Sequence, residues 1–436
     1  MVFTVAFSRS VITKLLCDQT CDQLSVRPSW AVLRTIVSLG EIWAESEESV
    51  SQRYRFRATL AICCVLLATA CAAPPSLRED VPATPPDAQV AVTSLDERKR
   101  VKADEKLDIT AVAPWRIHRV RIVGDKVSLD APIAAASSWT SEPIAPRQTV
   151  TLQATLSNPQ SNQEHLIERT VSVGKALSTF SASLFPQSGS FGVGVIPTIT
   201  FSQPVARKDR AKVLSHVRVD AQPTPVTGSW RWISDSVAAF RPPEFWPGHR
   251  KISISADMSR VRLNKVQGLP AAWGTDDVRS RWATGPAMIV RLNAKALSGQ
   301  VTIDGERKRS FPISLGKPGF TTRSGTKTLT IKYRVKRMTN IGITDDEVYD
   351  LQVPYAMQMT DSGEFLHGAP WNGNIGYAHT SHGCSNLQLD DARWIYNRMR
   401  WGDPVVTTGT GRPMENWNGP GAMWNIPAAK WADESA

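Results

Sequence analysis

Short runs of alternating apolar and polar residues, separated by Pro, Gly, Ser and Asn, constrain the fold of this chain more than any other feature. The run VTLQATLS at 150–157 places its apolar residues on one face, which is the spacing of a half-buried β-strand. KISISADM at 251–258 alternates in the same way. One segment, LDDARWIYNRMR at 389–400, has the spacing of an amphipathic helix. The pattern therefore predicts a mainly β protein.

The chain has 436 residues, too many for a single hydrophobic core. The predicted strands fall into two units, 101–175 and 176–287, each suited to a small β-sandwich. A third unit follows over 288–410, and a tail over 411–436 carries three tryptophans among Gly, Pro and Asn. Because exposed indoles are costly, we expect the tail to fold back on the third unit or on the one before it.

Residues 50–71 have the organisation of a secretory signal. Three arginines precede an apolar run of thirteen residues at 58–70, which is too short to span a bilayer comfortably. The ATAC sequence that ends at Cys71 resembles a bacterial lipobox, in which the cysteine becomes the lipidated first residue. The alternative is an ordinary signal peptide cut after ACA or CAA. We favour lipidation at Cys71.

The signal determines how the segments before and after it are interpreted. Export signals are N-terminal, so residues 1–49 are interpreted as a mis-annotated extension, with translation starting near Val50. Residues 72–100 are rich in Pro, Ala and charge, and predict an extended tether. We expect an exported protein at the outer face of the cytoplasmic membrane or in the periplasm. A thinly spread net charge of +11 suits an anionic surface such as the cell wall, and no nucleic-acid-binding motif accompanies it.

The cysteines that would remain after the signal is removed are Cys71 and Cys384. A free thiol in an exported protein has no disulfide partner and needs another explanation. Cys384 lies in HGAPWNGNIGYAHTSHGCSN at 367–386, together with three of the seven histidines. Gly, Ser, His and Asn surround it, whereas an inert core cysteine is surrounded by aliphatic residues. This setting predicts a reactive thiol.

A thiol of ordinary pKa is mostly protonated at neutral pH and needs a base to become a nucleophile. The candidate bases are His367, His379 and His382. His382 would share a side with Cys384 on an extended chain, whereas His367 must return through a loop. Gly383 permits close approach of the backbone and, with the Cys384 amide, predicts an oxyanion hole. The same histidines and cysteine resemble a partial zinc site, but a fourth ligand is missing, so we predict no metal and no cofactor.

HGAPW followed by SHGCSN resembles the signature of the L,D-transpeptidases, the YkuD-type cysteine enzymes that cross-link bacterial peptidoglycan. The similarity extends over 288–410 and includes SLGKPGFTTRSGT at 314–326. The order of segments is similar to that of the actinobacterial, mycobacterial-type members. The resemblance implies two immunoglobulin-like β-sandwich domains, a β-rich catalytic domain with a short helix, and a Trp-containing C-terminal extension.

The resemblance also implies the chemistry. Cys384 would attack the amide between the third and fourth residues of a peptidoglycan stem peptide, and D-alanine would leave. The side-chain amine of a diaminopimelate on a neighbouring stem would then resolve the acyl-enzyme and give a 3→3 cross-link. His367 is implied as the general base, and the carbonyl of Gly368 orients its ring.

The substrate-binding residues that the resemblance implies are Tyr349, Trp371, Ser381, His382 and Asn386. The stretch before Tyr349 differs from the family's lid. The implied partners are tetrapeptide donors, diaminopimelate acceptors and, through the lipid, the membrane; we expect a monomer. Two alternatives remain open at this point: a thiol carboxypeptidase or endopeptidase that uses water as acceptor, and a non-catalytic wall-binding scaffold.

Overall fold

The computed structural model describes residues 88–93, 95, 100–341 and 348–433, without the side chains of 432 and 433. The predicted extension 1–49, the signal 50–71 and Cys71 lie outside the described residues. Within the described ranges, no helix combines the length and the apolar character needed to cross a bilayer.

The first domain is a β-sandwich of two sheets. Its strands are β1 (Val90–Val92), β2 (Arg100–Val101), β3 (Asp108–Ala111), β4 (Arg116–Gly124), β5 (Val127–Ala136), β6 (Ser138–Thr140), β7 (Gln148–Asn158) and β8 (Gln163–Val173). The sheets have the orders β1-β3-β6 and β2-β8-β7-β4-β5. The alternating apolar residues of β7 are buried against Trp115, as their spacing predicts. Strand β1 pairs with β3, so it belongs to this domain, where the sequence predicted a tether.

The second domain has a separate core, built on tryptophans. Its strands are β9 (Thr179–Phe180), β10 (Ala182–Phe185), β11 (Ser190–Phe191), β12 (Thr198–Phe201), β13 (Val217–Gln222), β14 (Ser229–Trp232), β15 (Val237–Arg241), β16 (Lys251–Ala256), β17 (Arg262–Leu263), β18 (Ala272–Gly274) and β19 (Val278–Thr284), with helix α1 (Arg207–Ser215) between β12 and β13. Sheets β10-β12-β15-β14 and β11-β19-β16-β13 enclose Trp230, Trp232, Trp246 and Trp282. A small sheet, β17-β18-β9, completes the domain.

The third domain also has two sheets. Its elements are β20 (Met288–Asn293), β21 (Ser298–Ile303), β22 (Glu306–Pro312), β23 (Gly325–Thr328), β24 (Ile331–Thr339), β25 (Asp350–Gln358), β26 (Phe365–Gly368), β27 (Ser385–Leu387), helix α2 (Leu389–Arg398) and β28 (Pro404–Thr408). The sheet orders are β22-β21-β20-β28-β23 and β24-β25-β26-β27. Helix α2 is the predicted helix, and it buries Ala392 and Ile395 in the core of this domain.

One strand of this domain begins later than its alternation predicts. The alternation over 328–338 predicts one long strand, but the chain leaves the first sheet after Thr328 and enters the second sheet at Ile331. Leu329, in the connection, is buried. Because β24 is an edge strand, some of its apolar side chains face solvent. Ile331 and Val335 are 39% and 55% exposed. Alternation alone does not tell which sheet a strand joins.

The C-terminal tail packs against both the second and the third domain. It contains a 3₁₀ helix, Pro420–Asn425, and helix α3, Ala428–Asp433. The Trp424 indole donates a hydrogen bond to the carbonyl of Gly194 at 2.7 Å, which is a contact to the second domain. Asn425 exchanges two hydrogen bonds of 2.8 Å with the backbone of Thr326 in the third domain. Trp417, by contrast, is 74% exposed, where we expected a packed indole.

A direct backbone contact also joins the second and third domains. The amide of Gly192 donates to the carbonyl of Trp401 at 2.7 Å, and the amide of Gly194 donates to Gly402 at 2.9 Å. A Cβ atom on Gly192 would lie 2.1 Å from the backbone nitrogen of Asp403, which real side chains do not permit. Glycine is required here because two backbones approach each other this closely.

Candidate active site

The pairing of two short parallel strands brings Cys384 and His367 together. Strand β26 pairs with β27 so that Leu366 lies opposite Ser385 and His367 opposite Asn386. Cys384 directly precedes β27, so the thiol and the imidazole belong to adjacent chain segments of one sheet. Both line a single cleft of about 270 Å³. The full lining is Met338, Tyr349, Leu351, Val353, His367, Trp371, Asn372, Thr380, Ser381, His382, Cys384 and Asn386.

His367 is held in one orientation and one tautomer. Its ring is buried, and Nδ1 lies 2.9 Å from the carbonyl oxygen of Gly368. Since a carbonyl only accepts, Nδ1 carries the hydrogen and Nε2 keeps its lone pair. Burial lowers the pKa of His367 to about 4, although the bond to Gly368 opposes this change. Trp371 stacks on the ring at a centroid distance of 6.2 Å. The imidazole is therefore neutral near pH 7 and able to accept a proton.

Cys384 is half-buried and protonated at rest. Its sulfur lies 3.9 Å from the carbonyl oxygen of Gly363. Burial raises the pKa of the Cys384 thiol to about 11, and the charge of Glu364 raises it further, while the Phe365 backbone and the charge of Lys327 lower it. The resting pair is thus a neutral thiol and a neutral imidazole. Ionisation of the sulfur has to accompany the attack on a substrate.

A hydrogen-bonded turn presents the thiol. The hydroxyl of Ser381 donates to the Cys384 carbonyl at 2.6 Å and accepts from the Gly383 amide at 3.2 Å. Gly383 has φ +116°, which favours glycine. Its carbonyl accepts a 2.8 Å hydrogen bond from the Thr322 hydroxyl. In this state the Gly383 amide is bonded to Ser381, so a role in an oxyanion hole requires substrate oxygen to replace that hydroxyl.

The other two histidines of the motif have different surroundings. Nδ1 of His379 accepts from the Leu315 amide at 3.0 Å, and its Nε2–H donates to the Ala294 carbonyl at 3.0 Å. Both nitrogens of His379 therefore serve the backbone, and the residue does not line the cleft with Cys384. The ring of His382 packs between Phe320 and Tyr349, at centroid distances of 4.7 and 5.1 Å.

Two polar side chains complete the cleft. Burial raises the pKa of Tyr349, and the nearby Cys384 adds to this, so the Tyr349 hydroxyl stays protonated. Asn386 is anchored through its backbone to Ser314, with N···O distances of 2.8 and 3.1 Å. Its side-chain oxygen is buried and has no hydrogen-bond partner among the described residues. Such an acceptor costs stability unless a ligand donates to it.

No group of three or more His, Cys, Asp or Glu side chains within the described ranges is arranged to hold a metal ion. The predicted residues that line the cleft are Cys384, His367, Tyr349, Trp371, Ser381, His382 and Asn386. Gly368 and Gly383 contribute the backbone contacts given above. The structure thus brings all nine residues to one place.

Sequence reasoning did not identify a charged cluster next to the thiol. Lys327 is fully buried, and its ammonium nitrogen lies 2.7 Å from a carboxylate oxygen of Glu364. Arg323 binds the other carboxylate oxygen of Glu364 at 2.9 Å. The signal available was the position of Glu364, only three residues before His367. Nothing in the sequence identifies Lys327 as its partner.

Comparisons with known protein families agree with this architecture. The family described as bacterial Ig domain matches residues 98–262, and the family described as L,D-transpeptidase catalytic domain matches residues 288–407. The single Ig match covers the first predicted β-sandwich and the second as far as residue 262, although the two have separate cores in the structure. The predicted fold class, mainly β with immunoglobulin-like structure before a YkuD-type catalytic domain, is confirmed.

Individual relatives point to the same family. L,D-transpeptidase 1 of Mycobacterium tuberculosis strain H37Rv is 32% identical over 234 residues, which are 52% of this chain and 84% of the relative. L,D-transpeptidase 2 of M. tuberculosis strain CDC 1551 is 28% identical over 246 residues, 55% of this chain and 58% of the relative. A solved L,D-transpeptidase from Mycobacterium smegmatis is 32% identical, with a TM-score of 0.43, and covers 53% of this chain and 100% of its own. The similarity to L,D-transpeptidase 1 over 84% of that relative shows that the chain belongs to the L,D-transpeptidase family.

Proposed function

We propose that this protein is a peptidoglycan L,D-transpeptidase that forms 3→3 cross-links through an acyl-enzyme on Cys384. The observation that carries the proposal is the fixed tautomer of His367. The Gly368 carbonyl holds the hydrogen on Nδ1, so that Nε2 is the proton acceptor in the cleft that contains Cys384. A nucleophile and an oriented base in one cleft are what acyl transfer requires.

In the first half-reaction, the thiol proton of Cys384 moves to Nε2 of His367 as the sulfur attacks the carbonyl carbon of the third stem residue. The C–S bond forms, and the carbonyl oxygen becomes an oxyanion. When the tetrahedral intermediate collapses, the C–N bond to D-alanine breaks and the imidazolium returns its proton to the leaving amine. The products are a thioester on Cys384 and free D-alanine.

In the second half-reaction, the side-chain amine of a diaminopimelate on a neighbouring stem attacks the thioester carbonyl. His367 accepts a proton from that amine, the C–S bond breaks, and the proton returns to the sulfur. The new amide is the 3→3 cross-link. No net proton or electron is gained or lost, so the reaction needs no cofactor.

The cleft residues suit a peptide ligand. Met338, Leu351 and Val353 give one wall an apolar character. In the proposed complex, the buried Asn386 oxygen accepts an N–H of the donor stem, and the protonated Tyr349 hydroxyl donates to a substrate carbonyl. Trp371 is 45% exposed and covers the His367 ring at the mouth of the cleft. We assign substrate binding to these residues together with Ser381 and His382.

The proposal places the enzyme outside the cytoplasm as a monomer, held at the membrane by a lipid on Cys71. The two β-sandwich domains then act as spacers between the membrane and the wall. Mass spectrometry of the mature N-terminus tests the anchor, because a diacylglycerol adduct on Cys71 is expected and an unmodified N-terminus after ACA or CAA would contradict it.

The decisive experiment is incubation of the protein with a disaccharide-tetrapeptide. The expected products are a cross-linked dimer and one equivalent of D-alanine per cross-link, with Cys384→Ser as the inactive control. Tripeptide without dimer would identify a hydrolase that uses water as the acceptor. No turnover by the wild type would support a non-catalytic scaffold.

A further inference from the structure

A buried ionic cluster lies directly behind the thiol and takes no part in the mechanism above. Lys327 on β23 is fully buried, and its ammonium group contacts a Glu364 oxygen at 2.7 Å and the Arg323 carbonyl at 2.6 Å. The other Glu364 oxygen accepts from the Arg323 amide at 3.1 Å and from its guanidinium at 2.9 Å. The Arg323 guanidinium also pairs with Glu415 of the tail. Two basic and two acidic side chains thus meet, and burial lowers the pKa of Lys327 while the adjacent Glu364 opposes this change.

The cluster holds the backbone that touches the sulfur. Glu364 lies between Gly363, whose carbonyl is 3.9 Å from the Cys384 sulfur, and Phe365, whose backbone hydrogen-bonds that sulfur. The Glu364 amide itself donates to the Thr360 hydroxyl at 2.9 Å, which closes the turn before β26. When the carboxylate is fixed at both oxygens, the two neighbouring peptide groups are fixed as well.

We propose that Lys327 is a positioning residue for Cys384, which acts through Glu364 to hold the Gly363–Phe365 backbone against the sulfur and places a positive charge near it. The inference rests on the proposed role of Cys384 as the nucleophile. A buried lysine normally costs stability, and its removal leaves a buried carboxylate without one of its partners. The cluster is therefore an expensive arrangement whose benefit is at the thiol.

The groups that face the sulfur act in opposite directions. Lys327 favours the thiolate and Glu364 disfavours it. His367, three residues after Glu364, lines the same cleft and is neutral near pH 7. Tyr349 and His382 also line this cleft. Arg323 and Glu415 compensate each other behind Glu364. Removal of Lys327 and removal of the Glu364 charge should consequently have opposite effects on thiolate formation.

The test is the pH dependence of the alkylation of Cys384 by iodoacetamide, measured by mass spectrometry of the peptide that contains it. Alkylation follows the thiolate fraction and needs no peptidoglycan substrate. Lys327→Met should move the midpoint upward by about one pH unit, which is about a tenfold slower alkylation below the midpoint. Glu364→Gln should move it downward. In the double variant the midpoint should return towards the wild-type value, because the charges of Lys327 and Glu364 are both absent.

The matched controls are Lys308→Met and Glu306→Gln, an exposed pair on β22 outside the cleft, which should leave the midpoint unchanged. An unchanged midpoint for Lys327→Met, or equal shifts in the same direction for both single variants, would overturn the proposal. If Lys327→Met does not fold, adding this change to Glu364→Gln gives the same comparison and should raise the midpoint. D-alanine release by the wild type separates the two proposals: normal release without these shifts refutes only the role of Lys327, whereas shifts without release refute only the transpeptidase.

Discussion

The first domain and the catalytic domain bury very different residues. Among the described residues of the first domain, His165 is buried but no Lys, Arg, Asp or Glu is, and its hydrophobic core consists of Trp115 and aliphatic side chains. The catalytic domain buries Lys327, Glu364, His367 and Asp403. Desolvating these groups is costly, and Lys327, Glu364 and His367 lie close to the Cys384 thiol. The difference shows where packing serves stability alone and where it serves chemistry.

The largest effect is expected at His367. His367→Ala should slow the acylation of Cys384 by a carbapenem, which presents a strained amide to the thiol, by about 10²–10⁴-fold, since the general base is lost. His379→Ala is the control, because both nitrogens of that ring bind the backbone. Stopped-flow or mass-spectrometric acylation rates give the answer. Equal slowing by both changes would remove His367 as the base.

The second-largest effect is expected on the stability of the first domain, a spacer in the proposed function. Trp115 is fully buried, so Trp115→Ala should lower the free energy of unfolding of the first domain by about 3–5 kcal/mol. Carbapenem acylation should stay within about twofold of the wild-type rate, because the domain supplies packing only. Urea unfolding and acylation rates are measured on the same samples, with the exposed Val112→Ala as the control. A large loss of acylation would contradict the contrast between the two domains.

Asp403, at the contact with the second domain, predicts a pH-dependent stability. Burial raises the pKa of Asp403 to about 7. Between about pH 4 and pH 7 the folded chain binds a proton there and the unfolded chain does not, so this contribution is lost as the pH rises through 7. Asp403→Asn should therefore gain stability relative to the wild type between pH 4.5 and pH 8, by at most about 4 kcal/mol.

Urea unfolding of the wild type and Asp403→Asn at both pH values measures this gain. His367 titrates with the opposite sign between about pH 4 and pH 6.5, because its pKa is lowered, but it is present in both proteins and cancels in the difference. A constant difference between the two proteins at the two pH values would show that Asp403 is ionised throughout.

The smallest effect is expected at Asn386. Asn386→Ala removes a buried oxygen without a partner among the described residues, so the free enzyme should be as stable as the wild type or slightly more stable. The donor peptide loses one hydrogen bond, and its KM should rise about 5–10-fold, corresponding to about 1 kcal/mol. Thermal unfolding and D-alanine release measure the two quantities. A lower stability with an unchanged KM would assign Asn386 to the scaffold.

Burial of one face imposes a repeating pattern of apolar residues along the chain, and the features with such a pattern can be predicted from the sequence. The alternation of β7 and the apolar face of helix α2 are local patterns, and both are observed. The cluster of His367 and Cys384 could be found because reactive residues and glycines are concentrated in one short segment. Each of these predictions needs only residues that are close in the chain.

The remaining features depend on partners that are distant in the sequence. A lysine on a strand is normally expected at the surface, and the burial of Lys327 depends on its ion pair with Glu364, which directly precedes β26 in the other sheet. His379 looks like His367 in the sequence, and only the backbone groups of Leu315 and Ala294 distinguish its role. The sheet change after Thr328 likewise depends on tertiary pairing.

The close approach of Gly192 and Gly194 to the Trp401–Asp403 backbone has a consequence for the way such chains can recombine. Any other residue at Gly192 would collide with the neighbouring domain, and the Trp424 indole fastens the same junction from the tail. Replacing the second domain alone would place a different surface against this contact, where a single added methyl group at residue 192 does not fit. An exchanged second domain therefore has to keep glycine at position 192 and the backbone hydrogen bonds to Trp401 and Gly402.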